Sequence, residues 1–308
     1  MASDIHIGIV AYHPDLASLA DLIAFGTQDG HRVWLFINSP LGRSDLSALK
    51  DATVLNRGQN HGLGTAYNCI AEAASYDRAK TLLLLDQDSI PPPGMAKQLR
   101  QTFAMLRSFD ERPAVVGAHA ISTNLEQHKP PRIFHNKAVS RHASAWPAEF
   151  VISSGSLIDL AAYREIGPFR EDFFIDAIDL EWCFRAQSVG YTCWIDDAVE
   201  MPHQLGQGVI RLPILDMRLA RQEPSRLYTY ARNQMAMLRL QHVPWRWKRR
   251  IIPYLMLQSV VYIAASAGKR RNVLRAFKAG ISDGLHLRLG PGQRESFDLD
   301  SRRNSDIV

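Results

Sequence analysis

Residues 81–88 read Thr-Leu-Leu-Leu-Leu-Asp-Gln-Asp. An apolar run without polar alternation, Thr81–Leu85, is the pattern of a strand buried on both faces, and such strands belong to parallel sheets covered by helices on each side. The run ends in two carboxylates, Asp86 and Asp88. In an open α/β sheet ligands bind beyond the carboxyl ends of the strands. The eight residues thus predict both a fold class and the edge at which its chemistry sits.

Working outward, the neighbouring segments alternate in the same way. His6–Tyr12 and Arg32–Asn38 read as buried strands, Thr53–Asn56 as a short one, and Ala114–Ala120 as another. Helical spacing of apolar residues appears over Asp15–Phe25, Ala66–Ser75 and from the Pro91-Pro92-Pro93 turn to about Phe109. This alternation predicts a doubly wound, mostly parallel sheet. Ser122–Pro147 reads as a long irregular loop, Tyr191–Ile195 as a further strand, and His203 as a loop residue. From Pro224 the chain reads as mostly helical and basic. The expected organisation is a catalytic body over 1–210, a basic helical region over 211–289 and a disordered tail over 290–308.

The 308 residues are 46% hydrophobic and 22% charged, which excludes a disordered, collagen-like or polytopic membrane chain. Three cysteines, Cys69, Cys183 and Cys193, lack metal-type pairing and favour a reducing compartment. The start, MASDIHIGIV, lacks the basic region and long apolar core of a signal peptide. The net charge of +5 hides an asymmetry: −7 over residues 1–210 and +12 over 211–308. A basic third on an acidic body points to a polyanionic partner, either nucleic acid or an anionic membrane surface.

Several residues carry possible chemistry. Two carboxylates one residue apart, Asp86 and Asp88, suit a hard divalent cation held against phosphate oxygens; in isolation the same pair is also an ordinary solvated loop. Asp176, Asp179 and Glu181 lie in FFIDAIDLEWCFRA. Apolar neighbours would desolvate them and make one a candidate general base, while the alternative is a helix start whose acids complement the dipole and pair with Arg185. His203 is a candidate metal ligand or an ordinary histidine. Asn60 and Asn68 flank a helix start and either bond a ligand or cap the helix. The Gly-rich stretch 56–64 is neither a Rossmann nor a Walker fingerprint. The 18 uncharged residues 251–268, between RWKRR and KRR, are at the lower limit of length for a span and carry polar residues; they read as a core helix, an interfacial helix or, least readily, a spanning one.

Taken in order, GIVAYHPD, NRGQNHGLGTAYN, LLLLDQDSIPP, SSGSLI, GPFREDFFIDAIDLEWCFRAQSVGY, MPHQLG and SRLYTYARNQ resemble glycosyltransferase family 2, and within it the bacterial rhamnosyltransferases. The resemblance covers residues 5 to about 240. It implies a GT-A fold in which Asp86 and Asp88, with Gln87 between them, form the D-x-D motif that holds Mg2+ or Mn2+ on a nucleotide-sugar diphosphate, and His203 completes the metal site. It also implies Asp179 as general base with Glu181 beside it; Trp182, Gly155 and Asp176 at the acceptor; Tyr12, Asn38 and Asn60 around the nucleotide; and Arg232 at the diphosphate or acceptor. The implied reaction is inverting transfer, L-rhamnose from dTDP-β-L-rhamnose, to a cell-surface glycan or lipid-linked acceptor, in the cytoplasm at the inner face of the cell membrane. One departure stands out: the second strand ends Phe36-Ile37-Asn38-Ser39, without the carboxylate the family places there. Another nucleotide-sugar donor is the first alternative. A nucleotidyltransferase would normally carry a basic Gly-rich loop after the first strand, which YHPDLASLA lacks. A nucleic-acid-binding protein would carry a recognition motif, and none is found.

Overall fold

The computed structural model describes residues 3–42, 49–56, 58–122, 141–203, 209–212, 217–266 and 268–292, together with Phe297. Most of the expected irregular loop, 123–140, and nearly all of the expected tail lie outside the described residues. The chain divides into two compact units, Met1–Phe169 with Trp182–Gln204, and Arg170–Glu181 with Leu205–Val308.

The first unit is built on β1 (Ile5–Ala11) and β4 (Thr81–Asp86), which pair in parallel from Ile5↔Thr81 to Val10↔Asp86. Both are buried along nearly their whole length, as their mainly apolar sequences require. β2 (Arg32–Ile37) flanks β1 on the other side and β3 (Thr53–Asn56) flanks β2, all parallel. The chain thus winds outward from β1 through β2 to β3, then returns to the far side of β1 as β4. That reversal is the topological switch at which α/β sheets bind ligands.

Beyond β4 the sheet continues with β7 (Ser156–Asp159), antiparallel to both β4 and β5 (Pro113–Ser122). β8 (Thr192–His203) runs parallel to β5, and β6 (Ala145–Pro147) pairs antiparallel with β8. The order is β3-β2-β1-β4-β7-β5-β8-β6. Helices α1 (Leu16–Gln28), α2 (Leu63–Tyr76), α3 (Met95–Ser108) and α4 (Leu160–Ile166) accompany it. Asp15 caps α1 by accepting from Ser18 N, and Asp159 caps α4 by accepting from Ala162 N. Ile7, Ile9, Leu83, Leu85, Leu19, Phe103 and Trp194 belong to one buried cluster.

β8 corrects one expectation. His203, expected in a loop, closes a twelve-residue strand and pairs with Ser122, with Pro202, which has no N–H to donate, beside it. Among the described residues β6 reaches β8 only over Trp194–Asp196, and at Pro202 β5 is the one described partner of β8. A missing N–H is tolerated at such an edge.

The second unit contains the hairpin β9 (Val209–Leu212) and β10 (Met217–Ala220), then α6 (Pro224–Met237), α7 (Trp245–Ala265) and α8 (Arg270–Leu285). It also holds 170–181, with a 3-10 turn at Glu171–Phe173 and the start of α5 (Ile178–Ser188). α6 is buried on almost every side, polar residues included. It meets α8 at Gly280 and Gly284, where a Cβ would come within 2.4 Å of Tyr228 O and 2.2 Å of Arg232 O; only glycine permits that approach.

Candidate functional site

In the first unit the ends of β1, β2 and β4 are tied together by a short set of hydrogen bonds. Gln87 Oε1 accepts from Tyr12 N at 2.6 Å, linking the turn after β4 to the turn after β1. Asn38 N donates to Ala11 O at 2.7 Å, and His13 N to Ser39 Oγ at 2.9 Å, linking β1 to β2. Asn38, 5% exposed, spends its side chain on the neighbouring loop: Nδ2 donates to Gly62 O and Oδ1 accepts from His61 N. Asn60 Oδ1 accepts from Gly62 N, fixing the entry to α2. Asn38 and Asn60 therefore shape the loop through backbone groups, and Tyr12 is the exposed aromatic beside them.

The D-x-D turn is braced from a third side. Asp86 N donates to Ser89 Oγ at 3.0 Å, and Ser89 Oγ lies 2.8 Å from Ser154 Oγ. Gly155 N donates to Leu84 O, and Tyr67 OH to Ser153 Oγ. Gly155 has φ +80°, and a Cβ there would sit 2.7 Å from Met201 Cε. Its part is to let the 153–156 loop pass under β4. Ser89 and Ser154 were not singled out by sequence, although Ser153-Ser154-Gly155-Ser156 held the signal.

Asp86 is half-buried and Asp88 exposed. Two carboxylates one residue apart offer hard oxygen donors, which fit Mg2+ or Mn2+ with phosphate oxygens and water supplying the rest. Among the described residues no group of three or more His, Cys, Asp and Glu is placed to hold a metal by itself. For His203 the backbone position alone is described.

In the second unit the acidic segment has an unusual backbone. Phe174, Asp176 and Ala177 have φ of 62°, 67° and 62°, a region costly for side chains other than glycine. α6 holds it there. Asn233 Nδ2 donates to the carbonyls of Phe173, Ile175 and Asp176 at 2.9, 2.7 and 2.8 Å. Arg232 donates to Phe173 O, Gly290 O and Asn233 Oδ1. Burial pushes the Arg232 guanidinium below its ordinary pKa, and it is 0% exposed. Arg232 is therefore a clamp on the segment rather than a ligand-facing cation, which corrects the sequence expectation.

Asp176 Oδ1 lies 3.1–3.2 Å from the Arg226 guanidinium. Asp179 is half-buried in the first turn of α5 and accepts from Leu180 N. Glu181, 1% exposed, lies 2.8 Å from His242 Nε2. Arg170 is bound to Asp172, which raises its pKa above the ordinary value. Along the chain Asp179 thus lies between Asp176, held by Arg226, and Glu181, close to His242. His242 and Arg226 lie some fifty residues or more along the chain, and nothing local in sequence marks them as partners.

Trp182 departs from expectation. It is 1% exposed, its indole N–H donates to Gly167 O at 3.0 Å, and its ring lies 5.2 Å from that of Phe169. It is a core residue of the first unit, not a platform for an acceptor. Asn68 is likewise structural, bonding Phe169 N and O and accepting from Tyr163 OH.

No protein-family model matches the chain. Over 304 residues, 95% of this chain and 99% of the relative, it is 23% identical to the dTDP-rhamnosyl transferase RfbF of Shigella flexneri. Among solved structures, S. aureus TarS 1–349 superposes with TM-score 0.51 at 12% identity, covering 96% of this chain and 88% of that one. GalNAc-T7 with UDP, GalNAc and Mn2+ superposes with TM-score 0.56 at 12% identity, covering 90% and 56%. The fold is that of the GT-A glycosyltransferases.

Proposed function

We propose that this chain, a glycosyltransferase similar to the family 2 rhamnosyltransferases, moves L-rhamnose from dTDP-β-L-rhamnose to a hydroxyl of a glycan or lipid-linked acceptor, with inversion. The observation that carries the reading is Asp86-Gln87-Asp88, set at the end of β4 where the sheet's winding reverses and laced to the ends of β1 and β2. The near full-length similarity to a dTDP-rhamnosyl transferase supports the donor.

Asp86 and Asp88 would hold Mg2+ or Mn2+, and His203 is the proposed third ligand. Bound there, the cation supplies positive charge against the departing diphosphate. Gln87, by holding Tyr12 N, keeps the nucleotide side of the crevice in one shape, and Asn38 and Asn60 do the same for the 58–62 loop. Asp179 takes the proton of the acceptor hydroxyl. The hydroxyl oxygen forms its bond to the anomeric carbon on the face opposite the diphosphate, and the carbon–oxygen bond to phosphate breaks with its electron pair leaving on dTDP. A single displacement of this kind yields an α-L-rhamnoside. Glu181, fixed by His242, and Asp176, fixed by Arg226, keep the turn around Asp179 in place.

A second donor keeps a claim because β2 is followed by Asn38, whose side chain is committed to Gly62 and His61, so no carboxylate there selects base or ribose. Thermal melting against a panel of nucleotide sugars, with and without Mg2+ or Mn2+, tests the choice, since a ligand of the native state raises the melting temperature in proportion to its saturation. The largest cation-dependent shift is expected with dTDP-rhamnose. A larger shift with a UDP- or GDP-sugar would reassign the donor.

A further inference from the structure

Helix α7 carries large apolar side chains on its outer side as well as on its buried one. Its buried side carries Ile251, Leu255, Gln258, Val261 and Tyr262, so an amide side chain points inward. Its outer side runs through Trp245, Arg249, Ile252, Met256 and Val260. Steps of three and four residues put these on one face. Trp245 is 70% exposed, Met256 66% and Val260 65%. A row of large apolar side chains along a solvent face, unlike scattered single ones, marks a surface built for contact.

The charges around the row say what kind of contact. Arg246, Lys248, Arg249 and Arg250 crowd its start, and Lys269, Arg270 and Arg271 follow its end. Seven Lys and Arg thus flank the row; of these, Lys269 also lies 3.5 Å from Glu223. With both ends basic, two copies of the face paired in either direction would set cation against cation. An anionic bilayer complements the whole pattern: apolar side chains enter the acyl boundary, Trp245 sits at headgroup level, and the basic clusters meet lipid phosphates. Pro253, also on the outer side, leaves Arg249 O without an intrahelical donor, which is tolerated where water or headgroups reach it. Among the described residues no helix is long and apolar enough to cross a membrane, so the helix would lie on the surface.

We propose that the Trp245–Val260 face of α7, framed by its basic ends, docks this chain on an anionic lipid surface. The inference deepens the proposed function and rests on it for the use of such docking, namely access to a lipid-linked acceptor.

The test is flotation of the full chain with vesicles of phosphatidylglycerol and phosphatidylcholine, against vesicles of phosphatidylcholine alone. The chain should float with the anionic vesicles and lose this at high salt. Arg246→Gln with Arg249→Gln should lower partition about fivefold for each charge removed, and Met256→Glu with Val260→Glu should abolish flotation. All four positions are exposed, so the variants should melt like the parent, and release of dTDP with a water-soluble acceptor should be unchanged. Absent flotation of the parent, or equal flotation of the Glu variant, would overturn the proposal. So would a dimer seen by light scattering that the Glu variant dissolves without any vesicle binding. Turnover without flotation removes the docking alone, and flotation without turnover removes the glycosyl-transfer reading alone.

Discussion

The side-chain amide of Asn233 donates to the backbone carbonyl of Asp176 at 2.8 Å. The same nitrogen reaches the carbonyls of Phe173 and Ile175, so two N–H hydrogens are shared among three acceptors. Through this contact a buried residue of α6 sets the path of a segment with three left-handed residues just before Asp179.

Asn233→Ala should therefore lower kcat while leaving the dissociation constant for the donor close to the parent's. Losing the donor to buried carbonyls should also cost about 1–3 kcal/mol of stability. Urea melts with steady-state kinetics check both. An unchanged kcat in a destabilised variant would show that the segment keeps its path without the clamp.

Glu181 and His242 make a second prediction. His242→Ala leaves a carboxylate that is 1% exposed without its 2.8 Å neighbour. A loss within the ordinary range for a point change, about 0.5–3 kcal/mol, is expected, and the double variant with Glu181→Gln should recover part of it. A double-mutant cycle in urea measures the coupling.

Asp88→Ala should behave differently. Asp88 is exposed, so stability should change by no more than about 0.5 kcal/mol. The added stabilisation by nucleotide sugar in the presence of Mg2+ or Mn2+ should disappear. Retained cation dependence would contradict the role given to the D-x-D pair.

A pH dependence follows from His6. It is 3% exposed and its Nδ1 accepts from Trp34 Nε1 at 3.0 Å, so the native ring is neutral. Burial pushes its pKa below the usual 6.5, against the pull of Asp77, and burial lowers His31 as well. The unfolded chain takes up protons first as pH falls, so stability is fully present above about pH 6.5 and declines below it, until the folded pKa is passed. Melts between pH 8 and pH 5 should show this decline. His6→Asn, which keeps an acceptor for Trp34 and cannot charge, should shallow it.

Much of the fold was legible because its centre is written without ambiguity. The run at Thr81–Leu85 fits only a strand buried on both faces, and Asp86 and Asp88 mark where it ends. What sequence missed depends on distant partners. His203 read as a loop residue; the strand persists through it because β5 pairs with β8 as far as Ser122↔His203. Trp182 and Arg232 were placed at ligands by the family resemblance alone. Their burial is decided by Gly167 O, Phe173 O and Gly290 O, acceptors brought in by other parts of the chain. The clamp on the acidic segment, and the partners Arg226 and His242, are tertiary in the same sense.

The most direct measurement of the central claim is dTDP release and glycoside formation from dTDP-β-L-rhamnose with Mg2+ or Mn2+, by parent and Asp179→Asn side by side. The parent should form an α-linked product, seen by NMR at the anomeric carbon. Asp179→Asn should bind the donor with similar affinity and turn over about 10²–10⁴-fold more slowly. Turnover of the variant at the parent's rate would contradict the account, as would a parent that binds no nucleotide sugar and forms no glycoside.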